Sequence, residues 1–544
     1  MYLRRFSVAV VSGLVGYGAW YAYKGNGTDL QQAPGFSTSA INSLQNPQAT
    51  EIARKAVIVG ADSLYTGPIT GEGPISKDTD GAGRKVLEML TPEQATQKLR
   101  RNEESYLVGR GKGVVRYDVV QVPSNDPIED DHAEKIIELP SALSTATADG
   151  NPTSDWMFWG VFDGHAGWTT SAKLRQVLIS FVARELNNTY KAALTNPSSK
   201  APSHEAIETA IKTGFTRLDH EIVHESVEKV LKANSKLVAA ELLAPALSGS
   251  CALLSFYDTN TNLLRVACTG DSRAVLGRRG ESGKWIATPL SVDQTGSNPD
   301  EEARMRKLHP GEDGVIRNGR VLGGLEPSRA FGDATYKWTR EVSEKLKRSF
   351  FGRTPSPNLR TPPYVTAEPV ITTTKIEPDK GDFLVMATDG LWEMLTNEEV
   401  VGLVGQWIEK QSSDTKGNMG SSWVKMFSNE KKGLPVEHVK GNERRGRDGQ
   451  KQPIRQQQWG VKGGENERFV VEDKNVATHL VRNALGGKDR DMVCALLTLP
   501  APYSRRYRDD LTVEVIFFGN SDKSGDVVVN NEASASGHEV KAKL

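Results

Sequence analysis

The chain has 544 residues, with 68 basic and 68 acidic side chains and a formal net charge of zero. That length suits one large domain with appendages or two ordinary domains, and the neutrality argues against a polycationic nucleic-acid binder. Three cysteines, Cys251, Cys268 and Cys494, supply neither a disulfide framework nor a paired zinc spacing, and none has arginine six positions on, which excludes the usual cysteine-phosphatase loop.

In chain order, Arg4 and Arg5 precede an uncharged run from Phe6 to Tyr23 that ends in Trp20, Tyr21 and Tyr23. As a helix this run would span ~27 Å, close to a bilayer core, with aromatic residues at the interface. Residues 1–24 therefore read as a mitochondrial leader and a single segment inserted in the inner membrane; a secretory signal peptide is the competing reading. Residues 25–85, polar apart from Ala56-Val57-Ile58-Val59, read as a flexible linker. Thr91 as N-cap with Pro92 in the first turn starts a helix near the beginning of a folded domain, 86–519.

The run Gly109-Arg110-Gly111-Lys112-Gly113 reads as a turn, because Val114 stands where a dinucleotide loop needs its last glycine. Val114–Val122 alternates as a strand and delivers the acidic turn Asn125-Asp126-Pro127-Ile128-Glu129-Asp130-Asp131. The apolar run Phe158–Phe162 enters Asp163-Gly164-His165, and an amphipathic helix starts near Thr169. Ser203 caps a helix whose Ile207, Ile211, Phe215, Leu218 and Ile222 form a core stripe. Strands follow at Ser250–Phe256, Leu263–Cys268 and Ala274–Leu276, and a helix opens at Asn298 with acids in its first turn. The strand Asp382–Thr388 ends in Asp389-Gly390, and helices cover Asn397–Ile408 and Asn475–Leu485. Between those helices lies a polar insert, 411–467, whose basic run Glu443–Arg447 is either a solvated loop or a dock for an acidic partner. Asp509 and Asp510 precede the β run Leu511–Phe518, and 520–544 reads as a flexible tail.

Four places repeat one device, an acid beside a turn next to an apolar strand: Glu129/Asp130, Asp163-Gly164, Asp389-Gly390 and Asp509/Asp510. Hard oxygen donors without thiolate or histidine clusters point to Mg²⁺ or Mn²⁺. Carboxylates converging on one cleft repel unless cations neutralise them, and a pair of ions sharing a bridging acid activates water for attack on phosphorus. His165, next to that loop, is either a general acid for an alkoxide leaving group or a residue that fixes the turn.

Phe162-Asp163-Gly164-His165, Thr269-Gly270-Asp271-Ser272-Arg273, Ser328-Arg329-Ala330-Phe331-Gly332-Asp333, Thr388-Asp389-Gly390 and Asp509-Asp510-x-Thr512 occur in an order that resembles the metal-dependent type 2C serine/threonine protein phosphatases, from roughly Leu90 to Gly519. The resemblance implies an α+β fold, a four-layer αββα sandwich of two mostly antiparallel sheets, around two Mg²⁺ or Mn²⁺ ions. It implies Asp163 as the bridging ligand, the Gly164 carbonyl, Glu129, Asp389 and Asp509 as further ligands, and Asp130 acting through water. A metal-bound water would then hydrolyse phosphoserine or phosphothreonine directly, with His165 as catalytic partner.

Where many members carry a phosphate-gripping arginine this chain has Asn125; Arg329 is a candidate replacement or a loop brace. Ser124-Asn125-x-Pro127-Ile128-Glu129-Asp130, His165-Ala166-Gly167, Thr361–Pro369 and the insert after Val404 resemble the pyruvate dehydrogenase phosphatase branch. That implies phosphorylated pyruvate dehydrogenase as substrate, with another mitochondrial or peroxisomal phosphoprotein, or a silent scaffold, as alternatives. Ala542-Lys543-Leu544 is one substitution from a peroxisomal address, and is either chance or a ligand for the import receptor, as in fungal phosphatases that reach both organelles.

Overall fold

The computed structural model describes residues 54–60, 64–69, 73, 75, 79–139, 154–195, 201–414, 434–437, 453 and 468–535. Every described residue belongs to one compact unit that begins at Arg54. The leader 1–24, most of the insert and the tripeptide Ala542-Lys543-Leu544 lie outside the described residues. Among the described residues no helix is long and apolar enough to cross a membrane.

Ten strands build the centre: β1 (Glu103–Val122), β2 (Asp131–Glu138), β3 (Asp155–Phe162), β4 (Ala252–Asp258), β5 (Leu263–Thr269), β6 (Arg273–Arg279), β7 (Trp285–Pro289), β8 (Val370–Lys375), β9 (Phe383–Ala387) and β10 (Leu511–Val529). They form two five-stranded sheets, ordered β8-β5-β4-β3-β2 and β7-β6-β9-β10-β1, with every neighbouring pair antiparallel. Met157, Trp159 and Val161 of the first sheet and Val119, Met386 and Ile516 of the second share one buried apolar layer between them. Alternation along a strand sends the intervening residues to the outer faces. There Phe158 and Phe256 pack with Leu178 and Val182 of helix α2 (Thr169–Leu194) and with Ile211 and Phe215 of α3 (His204–His220). Val385 and Val513 pack with Val404 of α4 (Asn397–Asp414), Leu480 of α5 (Val476–Leu485) and Leu496 of α6 (Arg490–Thr498). The result is the expected αββα sandwich.

Helix starts match their caps. Thr91 forms a capping box with Gln94, while Ser203, Asn298 and Asn475 each accept a first-turn N–H.

Four expectations need correcting. Lys55–Val59 is the centre of a three-stranded antiparallel sheet with Leu64–Pro68 and Lys85–Glu88, and Val57 and Val59 are buried, so this part of 25–85 is folded because its apolar patch joins the core. The Gly109–Gly113 run lies inside β1 rather than in a turn: β10 pairs alongside with register shifts near it, and Gly111 and Gly113 take the positive φ of 85° and 131° that the irregular ladder requires. In the tail, β10 continues to Val529, and the Ala535 N–H still reaches the Glu103 carbonyl at 3.0 Å. Within the insert, Val436 is buried and bridges Trp285 on the edge strand β7.

Candidate metal centre

The strand ends of both sheets meet at one end of the sandwich. Asp163 leaves β3, Asp271 lies in the turn from β5 to β6, and Asp389 leaves β9, and one carboxylate oxygen from each lies within 4.8 Å of the others. The Asp389 N–H faces Asp163 Oδ2 at 3.4 Å. Burial first, then Asp389, Asp130, Asp509 and Asp271, drives the Asp163 pKa well above the ordinary carboxylate range. Asp509 is pushed up to about 7 by burial and Asp389, against the opposing charge of Arg505, whose guanidinium pairs with it.

Asp130 stands one layer behind. It is 5% exposed, and Oδ2 accepts from Thr388 Oγ1 at 2.9 Å and Thr512 Oγ1 at 2.8 Å. Burial, followed by Asp510 and Asp509, raises its pKa well above normal. Glu129 is raised by burial and Asp510, while the Gly167 N–H, Arg505 and His165 act in the opposite sense. Gly164 lets the two main chains come close: a Cβ there would stand 2.0 Å from the Glu129 carbonyl oxygen.

Asp510 organises the acidic turn. Oδ1 accepts the N–H groups of Ser124 at 2.5 Å and Asn125 at 2.9 Å; Oδ2 accepts the Glu129 N–H at 2.9 Å and Asn125 Nδ2 at 3.0 Å. Asn125 is thereby committed to holding the turn. Arg329 is a brace as well, donating to both oxygens of Glu301 at 3.1 and 2.8 Å and to the Glu368 carbonyl at 2.7 Å, so it does not replace the phosphate-gripping arginine.

His165 Nε2 lies 2.6 Å from Asp333 Oδ2. Burial alone lowers the imidazole pKa, but Asp333, Asp271 and Glu129 outweigh it and leave the pKa raised. The sequence pairs Asp510 with Asp509 among the converging acids but does not mark it as the acceptor that holds the turn, and it gives Asp271 and Asp333 no role at the site. Asp271 carried a usable signal, a Gly-Asp after an apolar strand like the other acids; the partners of Asp333 and Asp510 lie 168 and 386 residues away and leave no local pattern.

The donor set fits divalent cations. Carboxylate oxygens are hard ligands, and acids buried together at this spacing raise one another's pKa until positive charge offsets them. It does not discriminate Mg²⁺ from Mn²⁺.

Comparison with known proteins agrees with this geometry. The family model described as Protein phosphatase 2C matches residues 128–419. A protein phosphatase 2C homolog of Schizosaccharomyces pombe is 46% identical over 424 residues, covering 78% of this chain and 84% of its own. The mitochondrial pyruvate dehydrogenase (acetyl-transferring) phosphatase 1 of Saccharomyces cerevisiae is 44% identical over 465 residues, covering 82% of this chain and 77% of its own. Its human namesake is 29% identical over 495 residues, covering 79% and 83%. The chain belongs to the protein phosphatase 2C family.

Proposed function

We propose that this protein is a mitochondrial serine/threonine phosphatase whose substrate is phosphorylated pyruvate dehydrogenase, which it returns to the active form. The observation that carries the substrate is 44% identity to a phosphatase named for that enzyme, across 82% of this chain. Residues 1–24 provide the mitochondrial leader and a membrane anchor in this reading, and Ala542-Lys543-Leu544 a minor peroxisomal address.

Asp163, Asp389, Asp271 and Asp509 would hold the cations, with Glu129 and the Gly164 carbonyl completing the set and Asp130 acting through water. When bound, such cations lower the pKa of water and offset phosphoryl charge. Thr388 and Thr512 fix Asp130, and Asp510 fixes the turn that presents Glu129, so the donors are placed before substrate arrives. Asp333 holds His165 at Nε2, which leaves Nδ1 as the atom that carries a proton to the departing serine or threonine oxygen. In this reading Arg505, its side chain 48% exposed beside Asp509, supplies the positive charge for the substrate phosphate.

The test is phosphate release from phosphorylated pyruvate dehydrogenase by the full chain with Mg²⁺ or Mn²⁺, beside a generic phosphopeptide and an Asp163→Asn control. Metal-dependent release from the dehydrogenase, absent in Asp163→Asn despite an unchanged circular dichroism spectrum, is expected. Release from the peptide alone would overturn the substrate and keep the chemistry. Near-normal turnover by Asp163→Asn would overturn the metal assignment.

A further inference from the structure

A second cluster of ionisable groups lies in the layer between the sheets. His132 and Glu134 are two residues apart on β2 and therefore share a face. Glu514, on β10 of the opposite sheet, meets them there, and one ligand atom from each of the three lies within 4.8 Å of the others. His132 Nδ1 is 2.6 Å from Glu134 Oε1 and 3.8 Å from Glu514 Oε1.

Glu514 is 0% exposed, and no donor reaches either of its carboxylate oxygens. Glu134, itself a carboxylate, has an oxygen within 4.8 Å of one of its oxygens, so either a proton or a metal cation is needed among these groups to offset the two charges. A buried carboxylate with no donor is costly, and a positive ion among these three ligands removes that cost. The surroundings sharpen the demand. Glu104 brings another carboxylate, its Oε2 accepting from Tyr106 Oη at 2.7 Å, and it lines with His132 and Glu134 a cavity of about 220 Å³. Arg175 and Lys135 also stand on the cavity wall; Arg175 is engaged with Asp131 at 3.1 Å and favours the charged form of Glu134, while Glu514 has no such partner among the described residues.

We propose that His132, Glu134 and Glu514 form a further divalent-metal site, separate from the catalytic centre, for a borderline cation of the Zn²⁺ type. One imidazole nitrogen with two carboxylates is a mixed N/O set that suits Zn²⁺ better than Mg²⁺, and the cavity on the His132 and Glu134 side has room for a water as fourth ligand. The site joins the sheets just behind the chemistry. His132 is two residues from Asp130, and Glu514 two residues from Thr512, which holds Asp130. A cation here clasps β2 to β10 and so fixes the spacing of the strand ends that carry Glu129, Asp130, Asp509 and Asp510.

The probe is Co²⁺, whose visible absorption reports a nitrogen-containing, four-coordinate site, titrated into chelator-stripped full-length protein. The wild type and Asp163→Asn are both expected to give this band, with displacement by equimolar Zn²⁺ and persistence in excess Mg²⁺. Glu514→Gln and the milder Glu134→Gln should each weaken Co²⁺ binding by more than about tenfold. Zn²⁺ should raise the thermal midpoint of Asp163→Asn and leave that of Asp163→Asn/Glu134→Gln unmoved. Loss of the band in Asp163→Asn would assign the ion to the catalytic centre and overturn the proposal. Unweakened binding by both glutamine variants, or no band in any protein, would equally overturn it and leave a proton between Glu134 and Glu514.

Discussion

His479 shows how far a single buried side chain ties stability to pH. It is 0% exposed; Nε2–H donates to the Leu403 carbonyl at 3.1 Å, and Nδ1 accepts from Asn483 Nδ2 at 3.1 Å. Both ring nitrogens are thus satisfied in the neutral form. Burial, helped by the charges of Arg482 and Lys410 and opposed by Asp473 and the Leu403 carbonyl, pushes its pKa from 6.5 down to about 4. The unfolded chain takes up a proton on this ring near pH 6.5, whereas the folded chain resists until about 4, so stability present above pH 6.5 is lost as pH falls through that window. The loss at the acid end is on the order of 3 kcal/mol. Thermal midpoints from pH 7 to 4 should fall less steeply in His479→Gln than in the wild type; parallel curves would show that other groups govern the acid limb. The acids of the site were legible at this scale because each follows or precedes an apolar strand, and Asp163 and Asp389 also sit beside a glycine. The supports were less so: nothing local marks Asp510 as the acceptor for three N–H groups of the 124–129 turn, or Arg329 as a brace on Glu301.

Helix α3 was readable from its stripe of Ile207, Ile211, Phe215 and Leu218, and all four are buried against the first sheet and α2. What the stripe does not reveal is how closely the two helices approach. Gly214 faces the backbone of α2: a Cβ there would stand 2.8 Å from Val182 Cα, 2.9 Å from its Cγ2 and 3.0 Å from its N. Main-chain atoms cannot rotate away as a side-chain tip can, so relief requires α2 and α3 to separate and loosen Leu178, Val182 and Phe215 together. In an exposed helix, glycine to alanine stabilises by about 1 kcal/mol. Here overpacking costs about 1–3 kcal/mol and reverses the sign. Gly214→Ala should therefore lower the urea midpoint at unchanged slope, and a raised midpoint would show that the helices can part freely. The central strands were legible instead as short apolar runs, since β3, β4 and β9 are buried along their whole length. The extra length of β1 was not, because glycines that usually mark turns here serve a ladder irregularity.

Across the whole molecule, β4-β5 and β6-β7 are local hairpins, but the remaining order of the second sheet rests on pairings over a hundred residues or more, which no local pattern encodes. β10 and β1 are the extreme case, paired from Leu511 with Val122 out to Val529 with Tyr106. Beyond the ladder, the Asn530 N–H donates to the Ser105 carbonyl at 2.8 Å, and Ala533, 1% exposed, offers its carbonyl to Asn475 Nδ2 at 3.0 Å. Asn475 is the N-cap of α5, its Oδ1 accepting from the Thr478 N–H at 3.0 Å, and α5 lies in the core beneath the second sheet. A segment that reads as a polar tail thus closes the sheet edge and steadies a buried helix. Ending the chain after Gly519 removes the outer ladder and the Asn530 and Ala533 contacts at once. At about 1 kcal/mol for each backbone or cap hydrogen bond, with Val108 and Tyr106 newly uncovered, the loss should exceed about 3 kcal/mol. The truncated chain should melt at a lower temperature than the full chain, and amides of α5 should exchange faster with solvent, while Asp163, Asp271 and Asp389, held at the opposite end of the ladder by β3, β5 and β9, keep their cation affinity in the protein that remains folded. An unchanged melting temperature would place residues 520–535 outside the cooperative unit, and lost cation affinity at unchanged secondary structure would show that the tail reaches the site through β10.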